Sequence, residues 1–277
     1  MAVAPGAAAR ADLPPATLVP PAERLPATST GIPACTVRGL RKSFGADVTV
    51  LDGVDLSIAH GESVALIGAN GTGKSTLLRC LVRLIEPGEG DIFLLDCDVR
   101  HLRERQLRRL RSRIGFVFQR HNLVPRLSVL SNVVHGAQAR YGGPRMWYQG
   151  LAPAPVRAEA MRCLERVGLA DLARRRADQL SGGQSQRVAV ARALMQRPAF
   201  VIADEPVASL DPAAGLEVMQ LFTELLREDG ITLLFTSHHL GQAVEFSDRI
   251  VGLRQGRVCL DLPSAGASIA ELRGIYD

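Results

Sequence analysis

Five short runs of apolar residues, each bounded by turn-forming residues, recur along the chain from residue 34 onward. A short continuous apolar run is typical of a strand that is buried on both faces of a parallel sheet. We therefore expect the five runs to form one central sheet. In chain order they are Ser63–Ile67, Ile114–Phe118, Phe200–Ala203, Ile231–Phe235 and Ile250–Leu253.

Segments with the apolar spacing of amphipathic helices lie between these runs, which predicts an α/β protein with a central, mostly parallel sheet. The segment Thr36–Ala59 alternates apolar and polar residues, and this pattern indicates a flanking antiparallel sheet. From about 120 to 180 the strand signals vanish, so we expect an inserted helical subdomain there. The predicted helices are Ser75–Ile85, Val156–Val167, Gln184–Met195 and Ala214–Arg227.

The first 33 residues differ from the rest, with nine Ala, seven Pro and almost no large apolar side chains. Such a segment cannot bury enough surface to offset the entropy lost on ordering. We expect residues 1–33 to be a disordered tail and residues 34–277 to form the folded domain. The prolines interrupt any apolar stretch long enough for a signal peptide.

The composition, 47% hydrophobic and 22% charged over 277 residues, is that of an ordinary globular protein. No apolar run approaches the roughly 18 residues of a membrane-spanning helix. The five cysteines are scattered and include no C-x-x-C pair, which argues against a disulfide framework or a zinc site and favours a reducing cytoplasm.

The net charge of +5 comes from an unusual set of cations, 31 Arg and only two Lys. The stretch His101–Arg113 contains six of the arginines. It is either a patch that binds nucleic acid or lipid headgroups, or the solvated face of a helix, and the arginine bias of the whole chain favours the second interpretation.

A glycine-rich segment directly follows the first buried run and fits the pattern G-x-x-x-x-G-K-[ST] before a helix start, the context that a phosphate-binding loop requires. Glycines let successive N–H groups point at an anion, Lys74 supplies a point charge for the β- and γ-phosphates, and Ser75 offers a hydroxyl to Mg²⁺. A plain glycine turn would not explain why one of only two lysines lies here. The predicted nucleotide-binding residues are Gly68, Ala69, Asn70, Gly71, Thr72, Gly73, Lys74, Ser75 and Thr76.

Two carboxylates, Asp204 and Glu205, follow the apolar run Phe200–Ala203. Ligands of an open α/β sheet gather at the carboxyl ends of its strands, so both acids should face the nucleotide. Asp204 suits Mg²⁺, which prefers hard oxygen ligands, and Glu205 can polarise the water that attacks the γ-phosphate. Alone, the pair would be taken for solvated acids; behind a phosphate loop it predicts a magnesium ligand and a catalytic base.

A second glycine motif, Leu180–Gln184, precedes the predicted helix Gln184–Met195, with Ser181 as its expected N-cap. With these motifs in this order, the chain resembles the ATP-binding subunits of ABC transporters over about residues 35–275. The resemblance implies the P-loop NTPase fold of an ABC nucleotide-binding domain, with ATP and Mg²⁺ as cofactors. In that family two subunits pair head to tail around each ATP. It therefore implies a homodimer in which the signature motif of one subunit faces the nucleotide of the other through Ser181, Gly182, Gly183 and Gln184.

The resemblance also implies roles for four single residues. Phe44 matches the aromatic residue that stacks on adenine, although a core aromatic is the alternative. Gln119 matches the glutamine that contacts magnesium and water and couples to the membrane subunit. Asp211 matches the loop that joins the two subunits. His238 matches the histidine that senses the γ-phosphate, so the expected catalytic set is Glu205, His238 and Gln119.

Within the family, the chain is most similar to phosphonate importers, through the segment 122–133, the stretch Tyr141–Pro155 and the pair His238–His239. The resemblance implies an energy-coupling ATPase for phosphonates or related phosphorus oxyanions. It would lie at the cytoplasmic face of the plasma membrane with two permease subunits and an external solute-binding protein.

Two alternatives stay open: a soluble ATPase that assists a carbon–phosphorus lyase complex, and an importer ATPase for another solute. A ribosomal or DNA-repair ATPase is disfavoured because the chain has one such domain and no coiled coil, and we expect no nucleic-acid partner.

Overall fold

The structure, a computed structural model, describes residues 31–45, 48–119 and 121–276. The predicted disordered tail lies outside these ranges except for its last residues, so it stays a prediction. The described residues form ten strands: β1 (Cys35–Phe44), β2 (Val48–Ile58), β3 (Ser63–Ile67), β4 (Glu89–Leu94), β5 (Cys97–Asp98), β6 (Ile114–Val117), β7 (Phe200–Ala203), β8 (Thr232–Thr236), β9 (Arg249–Arg254) and β10 (Arg257–Pro263).

The central sheet has six strands in the order β10-β9-β3-β8-β7-β6. All five predicted runs are strands of this sheet and run parallel to their neighbours, while β10 pairs antiparallel with β9 at the edge. Strand β8 begins and ends one residue later than predicted, and its last residue Thr236 still pairs with Leu66 of β3. Strand β6 ends one residue earlier than predicted, and β9 extends one residue beyond the predicted run at each end. Parallel pairing puts the carboxyl ends of β3, β7 and β8 at the same edge of the sheet.

A second sheet of four strands, in the order β2-β1-β4-β5, is antiparallel throughout. Its first two strands lie in the segment for which an antiparallel sheet is predicted. The sequence pattern does not predict β4, whose Gly90 has a φ of 87°. A Cβ at Gly90 would lie 2.5 Å from the backbone oxygens of Arg38 and Gly39, so this glycine serves a close approach of two backbones.

Nine α-helices complete the described residues, and none of them is long and apolar enough to cross a membrane. The third to fifth, with short 3₁₀ turns, occupy the predicted helical subdomain. The helices are α1 (Lys74–Leu81), α2 (Glu104–Ser112), α3 (Val129–Val134), α4 (Gln138–Tyr141), α5 (Ala154–Arg166), α6 (Gly182–Met195), α7 (Pro212–Glu228), α8 (Leu240–Phe246) and α9 (Ile269–Arg273).

Helix ends follow local signals that periodicity alone misses. The prediction that the first helix continues to Ile85 is wrong: α1 ends at Leu81, because Arg83 adopts a left-handed φ of 53° that a helix cannot continue through. In contrast, α6 and α7 each begin two residues earlier than predicted. Ser181 and Asp211 cap them, each accepting a hydrogen bond from a backbone N–H of the first turn.

The two faces of the central sheet pack against different layers. Along β7, Phe200 and Ile202 belong to the apolar core shared with the antiparallel sheet and α1, whereas Val201 and Ala203 belong to the core formed with the helices. This alternation is the two-residue period of a strand with both faces buried. The sheet is thereby fixed from both sides, and its carboxyl edge becomes a rigid support for the residues beyond it.

Candidate nucleotide-binding and hydrolysis site

The predicted phosphate loop connects β3 to α1 at the carboxyl edge of the central sheet. Two of its glycines, Gly68 and Gly73, have φ angles of 149° and 102°. A Cβ at Gly68 would lie 2.2 Å from the backbone oxygen of Leu253, and one at Gly73 would lie 2.8 Å from that of Val50. Glycine is therefore required at both positions, because any side chain would collide with the backbone that supports the loop.

Lys74 is the first residue of α1 and is buried. Its ammonium nitrogen donates hydrogen bonds to the backbone oxygens of Gly68, at 2.7 Å, and Ala69, at 2.9 Å. Burial lowers the pKa of Lys74, while Glu205 and Asp204 act to raise it. A cation held over the loop by carbonyl oxygens is placed to bind an anionic phosphate.

Three side chains meet at Asp204, directly beyond β7. The Ser75 hydroxyl donates to its Oδ1 at 2.9 Å, and the Thr236 hydroxyl donates to the same oxygen at 3.2 Å. The guanidinium of Arg79 lies 3.9 Å from Oδ2. Mg²⁺ in nucleotide sites takes one or two protein oxygens and completes its shell with phosphates and water. The Ser75 hydroxyl and the Asp204 carboxylate are a donor set of this kind, so the residues present fit magnesium.

Glu205 is held by three neighbouring groups. Its backbone N–H donates to the Thr236 hydroxyl at 2.7 Å, its Oε1 accepts from Nε2 of His238, and its Oε2 accepts from Nε2 of Gln119 at 3.2 Å. Its φ of 49° lies in the left-handed region, which is uncommon for a residue other than glycine. The structure thus brings together Glu205, His238 and Gln119, the three residues predicted to be catalytic. The magnesium contact predicted for Gln119 stays a prediction.

The second glycine motif lies at the N terminus of α6, away from this cluster. Ser181 forms a capping box with Gln184, and a Cβ at Gly182 would lie 2.9 Å from the Leu210 side chain. Asp211 caps the neighbouring helix α7, and its Oδ1 accepts from the backbone N–H of Ala214 at 3.0 Å. The motif and Asp211 therefore line one cavity between two helix starts, and none of the phosphate-loop residues lines it.

Phe44 lies at the end of β1, and 45% of its surface is exposed. The Lys42 ammonium lies 5.1 Å from the centre of its ring. An aromatic ring with this exposure is not a core residue, which leaves the predicted stacking on a purine base as the interpretation to test.

Sequence reasoning missed Thr236, the fully buried last residue of β8. Its hydroxyl accepts from the Glu205 backbone and donates to the Asp204 carboxylate, so it orients both acids. The available signal was a hydroxyl residue beside an apolar strand at the carboxyl edge of the sheet. His239, which follows His238 in the chain, is exposed and occupies the N-cap position of α8 without a side-chain capping bond.

Comparison with known proteins identifies relatives of this chain. A family model described as ABC transporter matches residues 51–208. The phosphonates import ATP-binding protein PhnC of Bordetella parapertussis is 46% identical over 244 residues, which are 87% of this chain and 95% of that protein. The phosphate-import ATP-binding protein PhnC of Mycolicibacterium smegmatis is 47% identical over 240 residues, 86% of this chain and 90% of that protein.

Among solved structures, the ATP-binding cassette MJ0796, described as a dimer in a post-hydrolysis state bound to ADP and Pi, is similar to this chain with a TM-score of 0.73 and 34% identity. The similarity covers 84% of this chain and 100% of that one. The fold, the phosphate loop with its acidic neighbours and these matches agree. The chain therefore belongs to the ABC transporter family, in which it is an ATP-binding subunit that hydrolyses ATP.

Proposed function

We propose that this chain is the energy-coupling ATPase of an importer for phosphonates or related phosphorus oxyanions. The observation that carries the proposal is the similarity, over most of both chains, to import ATP-binding proteins of two bacteria, one named for phosphonates and the other for phosphate. Since an ATPase subunit of this family does not touch the transported solute, the solute is inferred from the relatives and not from the site.

The geometry around Glu205 supports the following hydrolysis step. Its carboxylate accepts a proton from a water molecule while the water oxygen attacks the γ-phosphorus. The bond from that phosphorus to the bridging oxygen breaks, and ADP and phosphate are released. His238 and Gln119 hold the two carboxylate oxygens, so the base is oriented before the nucleotide arrives. Mg²⁺, when bound by Ser75 and Asp204, would neutralise charge on the phosphate oxygens.

A pair of chains is needed to use both anion-binding helix starts. The signature motif faces a cavity lined by residues of α6, α7 and the loop before Asp211, and it does not adjoin the phosphate loop of its own chain. In a head-to-tail homodimer the motif of each chain would meet the nucleotide of the other. Two membrane permease subunits and an external solute-binding protein would complete the importer, with this subunit at the cytoplasmic face of the plasma membrane.

The role of Glu205 is tested by replacing it with Gln, which keeps the shape but cannot accept the proton. Glu205→Gln should bind Mg-ATP, lose about 10²–10⁴-fold in turnover and accumulate as an ATP-bound dimer. Phosphate release measures turnover, and light scattering after size exclusion measures the dimer. Glu224→Gln, an exposed change on α7, is the matched control and should hydrolyse ATP at the normal rate. Normal turnover by Glu205→Gln would exclude this base.

The solute is tested by uptake in a strain that lacks the gene and carries either the normal chain or Glu205→Gln. Labelled methylphosphonate and orthophosphate are supplied separately. Uptake of methylphosphonate that requires the normal chain supports the proposal. Uptake of orthophosphate alone would identify phosphate as the transported solute. Normal uptake of both, with a loss of carbon–phosphorus bond cleavage, would overturn the importer and favour the lyase-associated ATPase.

A further inference from the structure

Arg192 connects the signature helix to the segment that follows Gln119. It lies near the C-terminal end of α6, about 15 Å along the helix from the signature glycines. Its two terminal nitrogens donate to consecutive backbone oxygens, NH1 to Asn122 at 2.7 Å and NH2 to His121 at 2.8 Å. One side chain thus holds two adjacent peptide groups a few residues beyond Gln119.

The electrostatics of Arg192 differ from those of the surface arginines. Burial alone lowers the pKa of its guanidinium, with no carboxylate among the described residues to oppose that shift. The hydrogen-bond acceptors of its positive charge are carbonyl oxygens. Removing a charge from water costs free energy unless such hydrogen bonds have good geometry. The planar fork of a guanidinium matches two neighbouring acceptors, whereas an ammonium does not have this shape.

A second side chain holds the same segment. Asn122 has a left-handed φ of 49°. Two residues later, the buried side chain of Asn132 accepts from the Val124 N–H at 2.7 Å and donates to the Val124 oxygen at 3.2 Å. Arg192 and Asn132 therefore hold this segment from α6 and α3, shortly after Gln119 in the chain.

We propose that Arg192 is a positioning residue for hydrolysis: it ties the loop after Gln119 to the signature helix, so that the Gln119 amide stays against Glu205. The proposal rests on the role proposed above for Gln119 beside Glu205. It gives α6 two functions in one rigid element, with the signature motif at its start and the loop anchor near its end. A displacement of α6 would then shift the Gln119 amide relative to the catalytic base Glu205 of the same chain.

The test is a double-mutant cycle of Arg192→Gln and Gln119→Ala in the full chain, with kcat and KM for Mg-ATP measured by release of labelled phosphate. Arg192→Gln should lower kcat about 10- to 100-fold, the loss expected when a catalytic group is misplaced, and should leave KM within about twofold. If Arg192 acts through Gln119, the double variant should be no slower than Gln119→Ala alone.

Two further variants separate positioning from general stability. Arg166→Gln removes the 2.7 Å ion pair of Arg166 with Asp229 on another face and should keep the normal kcat. Arg192→Lys keeps the charge, should fold, and replaces Arg192→Gln in the cycle if the latter does not fold; it should lose part of the kcat. Melting temperatures are recorded for all variants.

A normal kcat for both Arg192 variants would overturn the proposal. A double variant whose kcat falls below that of the normal chain by the product of the two single losses would also overturn it. Normal hydrolysis by Gln119→Ala would instead overturn the role proposed for Gln119, so the two failures are distinguishable.

Discussion

Thr236 offers the sharpest test of the site, because one hydroxyl supports both acids. Thr236→Val keeps the shape of the side chain and removes only its hydrogen-bonding capacity. The Glu205 N–H would lose its acceptor at 2.7 Å, and the Asp204 carboxylate would lose a donor at 3.2 Å, both around a side chain with 0% exposure. We expect loss of stability and loss of activity from the same change.

The size of the stability loss follows from these two bonds. A buried donor left without an acceptor costs about 1–3 kcal/mol, and a hydrogen bond to a charged group contributes about 1.5–3 kcal/mol. Because the carboxylate keeps its bond from Ser75, we expect the free energy of unfolding to fall by about 2–3 kcal/mol, or a melting temperature roughly 4–12 °C lower. Turnover should fall at least about tenfold, because the base loses one of its supports.

Thr232, on the same strand, provides a matched control. It is also buried, and its hydroxyl accepts from the Gly61 N–H at 2.9 Å, away from the acids. Thr232→Val should lower stability by about 1–3 kcal/mol without changing kcat at 20 °C, and Thr236→Ser should restore both properties in large part. Urea denaturation and steady-state ATPase assays measure the two effects. If Thr236→Val lowers stability but keeps normal turnover, the hydroxyl does not orient the base.

Three other predictions concern charge and burial. Lys74→Ala should abolish ATP binding or turnover. Lys74→Arg should not restore it, because a planar guanidinium does not have the shape of the ammonium that donates to the Gly68 oxygen at 2.7 Å. An arginine variant that is fully active in nucleotide-binding and ATPase assays would contradict this. Glu159→Gln removes the carboxylate that Arg140 and Arg197 share at 2.8 and 2.7 Å. The free energy of unfolding, measured by denaturant titration, should fall by about 1–3 kcal/mol, and ATPase activity should be unchanged. No loss of stability would mean that solvent fully screens these ion pairs. In a thiol-reagent assay at neutral pH, the exposed Cys259 should react rapidly, whereas rapid labelling of the buried thiols would contradict their burial. Burial raises the pKa of these thiols to about 12 for Cys35 and to about 11 for both Cys80 and Cys163.

The central strands could be predicted because their sequences satisfy a local rule. A strand such as β7, which is buried on both faces, has to be apolar at every position. The run Phe200–Ala203 can therefore be recognised as a strand from its own sequence, without knowledge of its neighbours. In contrast, β4 reads Glu-Gly-Asp-Ile-Phe-Leu, and its glycine makes sense only once β1 lies against it. Its pairing partner is distant in the chain, and no local pattern contains that information.

The residues of the candidate site likewise fall into those that a local motif predicts and those that only the packed structure brings together. Gly68 and Lys74 belong to a motif whose spacing already contains the loop geometry. The position of Thr236 after an apolar run marks only a hydroxyl at the edge of the sheet; its contact with both acids depends on the parallel pairing of β7 with β8. Arg192 is one of 31 arginines in the sequence, and its hydrogen bonds to the carbonyl oxygens beyond Gln119 exist only in the packed molecule.

The adjacent residues His238 and His239 test the register of the site. Nε2 of His238 is hydrogen-bonded to Oε1 of Glu205, whereas His239 is exposed at the start of α8, where its backbone N–H donates to the Ser237 hydroxyl at 3.0 Å. Only the first imidazole can orient the base, so His238→Ala should lose most ATPase activity and His239→Ala should keep most of it. Steady-state hydrolysis at saturating Mg-ATP measures both variants, and His239→Asp should also stay active because aspartate is a good N-cap. The reverse ranking would show that the histidine acting at the γ-phosphate is His239, and that the Glu205 contact in this structure is not the one used in hydrolysis.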